Sequence, residues 1–258
     1  MKNKVIKLSN ELALRIPQLS TQESRLLYKI LYNLTYEIKL GVDGFKSTGN
    51  LNMIYNPEQS YFLNMELRVF KEYFTSNVTK NQIIDYLHKL QSITLQVNYL
   101  GLDETQENFK NYIYVGNLFN GIYYCEEDDL VQICISEAIY QNIGNVEMCF
   151  TLLELDEINK LKTGIGRKLY TLLRVHEGHN YNVLMTKNDF DKYFDFVSVE
   201  TTNQNKLIQR GINDLEKQLG VTIKMTKIKK GNKVTQVNIL CNGLKKLYNA
   251  EPLFSSKS

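Results

Sequence analysis

Asn203-Gln-Asn-Lys-Leu-Ile-Gln-Arg-Gly-Ile-Asn-Asp-Leu-Glu-Lys-Gln-Leu219 is the stretch that decides how this chain folds. Stepping about 100° per residue around a helix places Ile208, Ile212, Leu215 and Leu219 on one narrow stripe. Lys206, Gln209, Arg210, Asn213 and Lys217 fall on the opposite side. These side chains suit phosphates and base edges, and they occupy the face a packed helix leaves in water. Any solvated helix also shows a charge-rich face, so the flanks must decide.

Upstream, Thr186 to Phe194 reads as a short helix with Thr186 at its N-cap and Asp189 in the first turn. Phe190 and Phe194 stand four apart, ready to pack under the longer helix. Downstream, 221–228 and 234–239 alternate as half-buried strands do. Between them Lys229-Lys-Gly-Asn-Lys233 forms a turn with a flexible glycine and three cations. Helix-turn-helix followed by a hairpin with a basic tip is the plan of a winged helix. From Lys206 to Lys233 there are eight Lys/Arg, Lys227 included, against Asp214 and Glu216, a local excess of +6 in a chain whose net charge is only +3. A polyanion is the expected ligand.

At 258 residues the chain suits one large domain or two ordinary ones. Charge divides it: residues 1–144 hold 13 Lys/Arg and 16 Asp/Glu, residues 145–258 hold 18 and 12. A boundary is expected at the short polar stretch 142–145. There is no apolar run of about 18 residues to span a membrane, and the N-terminus lacks the apolar core of a signal peptide, which points to the cytoplasm. Cys125, Cys134, Cys149 and Cys241 form no C-x-x-C pair and suit reduced, buried thiols.

The first half shows a similar order of elements. After a partly extended, basic lead-in over 1–18, Ser20 and Glu23 form a capping box for a helix with Leu26, Leu27, Ile30, Leu31 and Leu34 on its apolar face. Residues 41–59 read as loop and Asn64–Phe74 as a short helix. Thr79 and Gln82 form a second capping box, for a helix with Ile83, Ile84, Leu87 and Leu90 inward. Strands are expected over 93–99 and 111–118, then a hairpin turn at Asn120-Gly121 into a third strand and a fourth around Val131–Ile135. In the second half, a strand near 148–152 and a segment 155–161 lead to a break at Gly164-Ile-Gly166 and a helix Arg167–Val175. The reading is therefore α+β, two tandem winged-helix domains, 1–144 and 145–258. The exposed face of the first copy carries Asn81, Asp85 and His88, and its hairpin loop Asp103, Glu104 and Glu107, a poor surface for phosphates.

The ordered set of segments resembles the iteron-binding replication initiators of theta-replicating bacterial plasmids. Asn10-Glu-Leu followed by Leu19-Ser-Thr-Gln-Glu-Ser-Arg-Leu-Leu27 looks like that family's opening helix. Phe150 through Leu173 is similar to the segment opening its second winged helix. Phe190 through Ile239 follows its pattern, including Ile212-Asn-Asp-Leu and Lys229-Lys-Gly-Asn-Lys233. The resemblance implies binding to direct repeats of double-stranded DNA at an origin and a homodimer, in equilibrium with monomer, that represses its own promoter. It also implies contacts with the host initiator and replicative helicase.

Other chemistry fits poorly. His176-Glu-Gly-His179 lacks the helical H-E-x-x-H spacing of zinc hydrolases. No His-hydrophobic-His triplet accompanies the 17 tyrosines, as a rolling-circle nicking initiator would need, and no G-x-x-x-x-G-K-[ST] is present. Glu126-Glu-Asp-Asp129 suits a solvated turn. The expectation is a DNA binder with no enzymatic activity, no metal and no cofactor, reading DNA through Lys206, Gln209, Arg210, Asn213 and Lys217 and gripping it with Lys227, Lys229, Lys230 and Lys233. The rival of the same architecture is a dedicated transcriptional repressor.

Overall fold

A computed structural model describes residues 4–16, 19–39, 52–56, 60–71, 78–102, 109–143 and 150–247. They fall into two units, Met1–Thr151 and Leu152–Ser258. The boundary expected between 144 and 145 lies outside the described residues, as do Phe74, Cys149, the acids Asp103, Glu104 and Glu107, and the tail beyond 247.

In the first unit, strand β1 (Val5–Ser9) runs directly into helix α1 (Asn10–Arg15), which gives the extended lead-in a definite form. Ser9 caps α1, its Oγ accepting from Leu12 N at 3.0 Å. Helix α2 (Thr21–Lys39) opens on the expected capping box: Ser20 N donates to Glu23 Oε2 at 2.9 Å and Glu23 N to Ser20 Oγ at 3.3 Å. Its five leucine and isoleucine positions from Leu26 to Leu34 are fully or almost fully buried.

The next segment corrects the expectation. Within 41–59, Asn52–Asn56 is a strand (β2), and Ser60–Glu66 is another (β3). Of the helix expected over Asn64–Phe74, the first three residues belong to β3 and Leu67–Lys71 form α3. The reason is a distant partner: β3 pairs antiparallel with β7 (Leu130–Ser136), Ser60 opposite Ser136 and Glu66 opposite Leu130. Local sequence does not reveal that partner.

Helix α4 (Lys80–Gln91) starts on the predicted Thr79/Gln82 box and buries Ile83, Leu87 and Leu90, with Ile84 half-buried. Strands β4 (Thr94–Leu102) and β5 (Phe109–Asn117) form an antiparallel ribbon. Asn120-Gly121 is not a hairpin turn, because β6 (Gly121–Cys125) pairs with β7 rather than with β5. The turn of that hairpin is Glu126–Asp129, where Tyr124 Oη donates to Asp129 Oδ1 and Lys80 stands over the Tyr124 ring. The sheet order is β2-β3-β7-β6. Helix α5 (Glu137–Gln141) closes the unit, Ser136 capping it.

Strand β8 (Phe150–Glu154) straddles the division and leads into α6 (Leu155–Lys160). Helix α7 covers Gly164–Val175, so the expected break at Gly164–Gly166 is instead the first turn of a helix, capped by Thr163 Oγ1 accepting from Gly166 N at 3.0 Å. A single 3-10 turn (Glu177–His179) precedes β9 (Asn182–Thr186), a strand with no counterpart in the sequence reading. Helix α8 (Lys187–Tyr193), helix α9 (Thr201–Leu219) and strands β10 (Thr222–Lys230) and β11 (Lys233–Asn242) complete a helix-turn-helix with a wing. The sheet order is β10-β11-β9.

The core of this unit joins the buried face of α9 (Ile208, Ile212, Leu215) to Leu169 and Leu173 of α7, to Val237 and Ile239 of β11, and to a ring cluster of Phe190, Phe194 and Phe196. A guanidinium is carried inside with its acids. The Arg174 side chain is fully buried, with Nη2 2.6 Å from Glu157 Oε2 and Nη1 3.1 Å from Glu177 Oε2. Nη1 also donates to Lys245 O at 2.6 Å, and Leu247 N donates to Glu177 Oε1, tying the segment after β11 to the centre of the unit. Burial by itself would lower the Arg174 guanidinium; Tyr170 and Glu157 outweigh it and hold it raised.

Candidate nucleic-acid interface

Helix α9 begins after a turn and ends where Gly220 takes a left-handed conformation, φ +68°, its N–H bonded to Glu216 O. Lys206, Gln209, Arg210, Asn213 and Lys217 are all exposed on it, opposite the buried Ile208/Ile212/Leu215 stripe. Leu219, expected on that stripe, is half-buried. Lys206, Arg210, Asn213 and Lys217 follow one another at intervals of four, three and four, so they form a single row along the helix. Gln209 Nε2 donates to Asn213 Oδ1 at 2.8 Å, which leaves the Asn213 amide nitrogen free to point outward.

Two contacts press α9 into the unit so that this row stands proud. At Gly211 an added Cβ would lie 2.5 Å from Ile165 Cγ2, so α7 and α9 meet at a distance only glycine permits. One turn on, buried Asp214 Oδ2 accepts from Lys162 N (2.9 Å), Thr163 N (2.8 Å) and Thr163 Oγ1 (2.8 Å). The start of the helix is fixed by Gln204. Its Nε2 donates to Phe196 O (3.0 Å) and Val199 O (2.9 Å), and its Oε1 accepts from Lys187 Nζ (3.2 Å).

The wing is the β10–β11 hairpin, Lys230 opposite Lys233, with a two-residue turn at Gly231-Asn232. Gly231 has φ +62°, the left-handed region that glycine enters without strain. Lys229, Lys230 and Lys233 are exposed at this tip. Lys227 differs from them: it is half-buried and its Nζ donates to Asn205 Oδ1 of α9, so it links the wing to the helix. The nine candidate residues therefore divide into an exposed row, an exposed tip and one bridging lysine.

Sequence reasoning missed Gln204, Asn205, Gly211 and Asp214. Gln204 carried a readable signal, since it precedes Ile208 by one turn and so places an amide on the apolar stripe, where it must find partners. Gly211 and Asp214 depend on what α7 presents, which the sequence of α9 does not contain.

The first unit offers a different surface. Asn81, Asp85 and His88 are exposed on α4, and two cations of that helix are engaged with acids, Lys80 with Asp129 and Lys89 with Glu23, each at 3.6 Å. Among the described residues no group of three or more His, Cys, Asp or Glu could hold a metal ion, and no helix is long and apolar enough to cross a membrane.

Comparison with known proteins agrees with this architecture. The crystal structure of the Pi initiator protein in complex with iteron DNA superposes with a TM-score of 0.59 at 14% identity, covering 93% of this chain and 97% of that one. The likeness extends the winged-helix plan to both units. No curated protein sequence matches the chain. The family model described as "Initiator Replication protein, WH1" matches residues 5–174, well over half the chain. The chain belongs to the initiator replication protein family of plasmids.

Proposed function

We propose that this chain initiates plasmid replication by binding repeated duplex sites at an origin, with α9 in the major groove and the β10–β11 wing on the flanking backbone. The observation that carries the reading is the exposed row Lys206–Arg210–Asn213–Lys217 with Gln209 beside it, set against a buried apolar stripe and followed by a lysine tip. Arg pairs with the O6/N7 edge of guanine and Asn with the N6/N7 edge of adenine. Lys206 and Gln209 lie nearer the helix N-terminus, the end that helix-turn-helix docking pushes deepest. Lys217 and the wing lysines meet phosphate.

In this reading the protein has no catalytic chemistry. Occupancy of several repeats strains an adjacent AT-rich segment, and host initiator and helicase are recruited to it. A homodimer represses the chain's own promoter while the monomer serves initiation. The likeness to an initiator bound to iteron DNA and the family membership support the binding mode.

The test is a plasmid carrying this gene and its upstream DNA as its only replicon, with footprinting of the purified chain on that DNA. Replication together with protection of tandem repeats about 20 bp long supports the proposal. Protection of a promoter without replication would favour a dedicated repressor. A nicked product from supercoiled origin DNA with Mg²⁺ would overturn the non-enzymatic reading.

A further inference from the structure

The turn between α8 and α9, residues 194–200, is held from both sides. From α9, Gln204 grips the carbonyls of Phe196 and Val199. From α7, the buried Lys168 ammonium donates to Tyr193 O and to Asp195 Oδ2 (2.9 Å), and Tyr193 Oη donates back to Lys168 O (2.8 Å). Asp195 itself sits at φ +58°, the left-handed region that few residues other than glycine, asparagine and aspartate enter. Phe196 is buried beneath the turn.

From this fixed turn Val197 projects with 76% of its surface in water, the largest value for any exposed large apolar residue described in the chain. Its exposed neighbours Asp195, Ser198, Glu200, Thr201 and Thr202 are all polar. The Asp195 carboxylate, which would otherwise repel phosphate, is paired with Lys168. A β-branched side chain brings two methyl groups on one stiff torsion and loses little entropy when covered. It stands immediately ahead of the end of α9 that enters the groove. Apolar contact with the thymine C5-methyl is a recognised way of reading a base pair.

We infer that Val197 is a specificity-determining residue that packs against the C5-methyl of a thymine at the edge of the bound site. The inference rests on the DNA-reading function proposed above. Arg210 and Asn213 read hydrogen-bonding edges near the middle of α9, whereas Val197 reads a methyl group beyond its start.

The test uses duplexes selected from a random pool by the full-length chain, then resynthesised with uracil replacing thymine one position at a time. Uracil pairs as thymine does and lacks only the methyl. At one position the exchange should weaken wild-type binding about fourfold, the effect of one buried methyl-sized group. Val197→Ala should lose a similar factor on the thymine duplex and be indifferent to uracil at that position alone. Its melting temperature should equal that of wild type, because the side chain is exposed. A wild type indifferent to uracil everywhere, a consensus without thymine, or a Val197→Ala variant still sensitive at the same position overturns the inference while leaving DNA reading intact. A selection that returns no consensus overturns both.

Discussion

Arg210 and Asn213 stand three residues apart on the exposed side of α9, with nothing in the fold depending on either side chain facing solvent. Arg210→Ala should therefore cost about 1–3 kcal/mol on the cognate repeat and much less on random DNA. Lys217→Ala, further along the row, should weaken both about equally. Competition binding with cognate and scrambled duplexes separates the two, and an equal loss for Arg210→Ala on both would make this face a charge patch that reads no sequence. The buried side of the same unit responds to alkali. Burial raises the Tyr170 phenol well above its ordinary range and pushes Tyr181 up to about 12 from an ordinary 10.0. The folded state favours the neutral phenols, so their contribution to stability is complete below about pH 10 and is lost as pH rises through the folded values. The tyrosinate absorbance of these two should appear late in an alkaline titration, together with loss of helix signal. Simultaneous ionisation of all tyrosines before any unfolding would contradict the burial. At this scale the exposure of the polar row was legible, because period and polarity coincide along a single helix. Asp214 was not legible: its charge looks like part of the solvated face until Lys162 and Thr163 are seen to surround it.

Between residues and molecule, the wing is the element whose job can be isolated. A hairpin tip beside a groove-bound helix meets the phosphate backbone first, and Lys229, Lys230 and Lys233 are its exposed cations. Replacing all three by Ala should weaken specific and random binding alike and flatten the salt dependence by roughly two to three units of slope. Lys227 is left out of that set because its ammonium is occupied by Asn205. The α7–α9 crossing is the complementary case, in which packing rather than charge sets the outcome. Gly211→Ala puts a methyl 2.5 Å from Ile165 Cγ2 and 3.2 Å from Gly166 N, and should destabilise the unit by about 1–3 kcal/mol in urea unfolding. An unchanged midpoint would mean the helices part at no cost. Helices were legible in the sequence wherever a capping signal and a 3.6-residue period agreed, with capping boxes at Ser20 and Thr79 and an N-cap at Thr186. Strands β2, β3 and β9 were not. Each runs only five to seven residues; β9 pairs with β11 some fifty positions away, and β3 pairs with β7 some seventy away besides its neighbour β2. Their own alternation was too short to outweigh a helical or loop reading.

Over the whole molecule, we propose that the charge division gives the two units different work. The second carries the concentrated cations of α9 and the wing; the first offers α4 cations that are paired with acids and, on the outward side of its β4–β5 ribbon, Ile113 and Val115 at 62% and 69% exposure. A ribbon face bearing uncharged, β-branched side chains is a surface that proteins ordinarily cover. Among the described residues β5 pairs with β4 alone. These observations support the proposal that dimerisation belongs to the first unit and most DNA affinity to the second. Sedimentation of the full-length chain should show a reversible dimer, and Ile113→Lys with Val115→Lys should shift it to monomer at the same concentration while leaving the circular dichroism spectrum of the folded chain unchanged, since both side chains already face water. On a single repeat the double variant should bind at least as tightly as wild type, because the DNA-reading face is untouched and monomer no longer has to be released from dimer. A variant that remains dimeric would place the interface elsewhere. A variant that turns monomeric and also fails to bind a single repeat would show that the two units do not divide the work in this way.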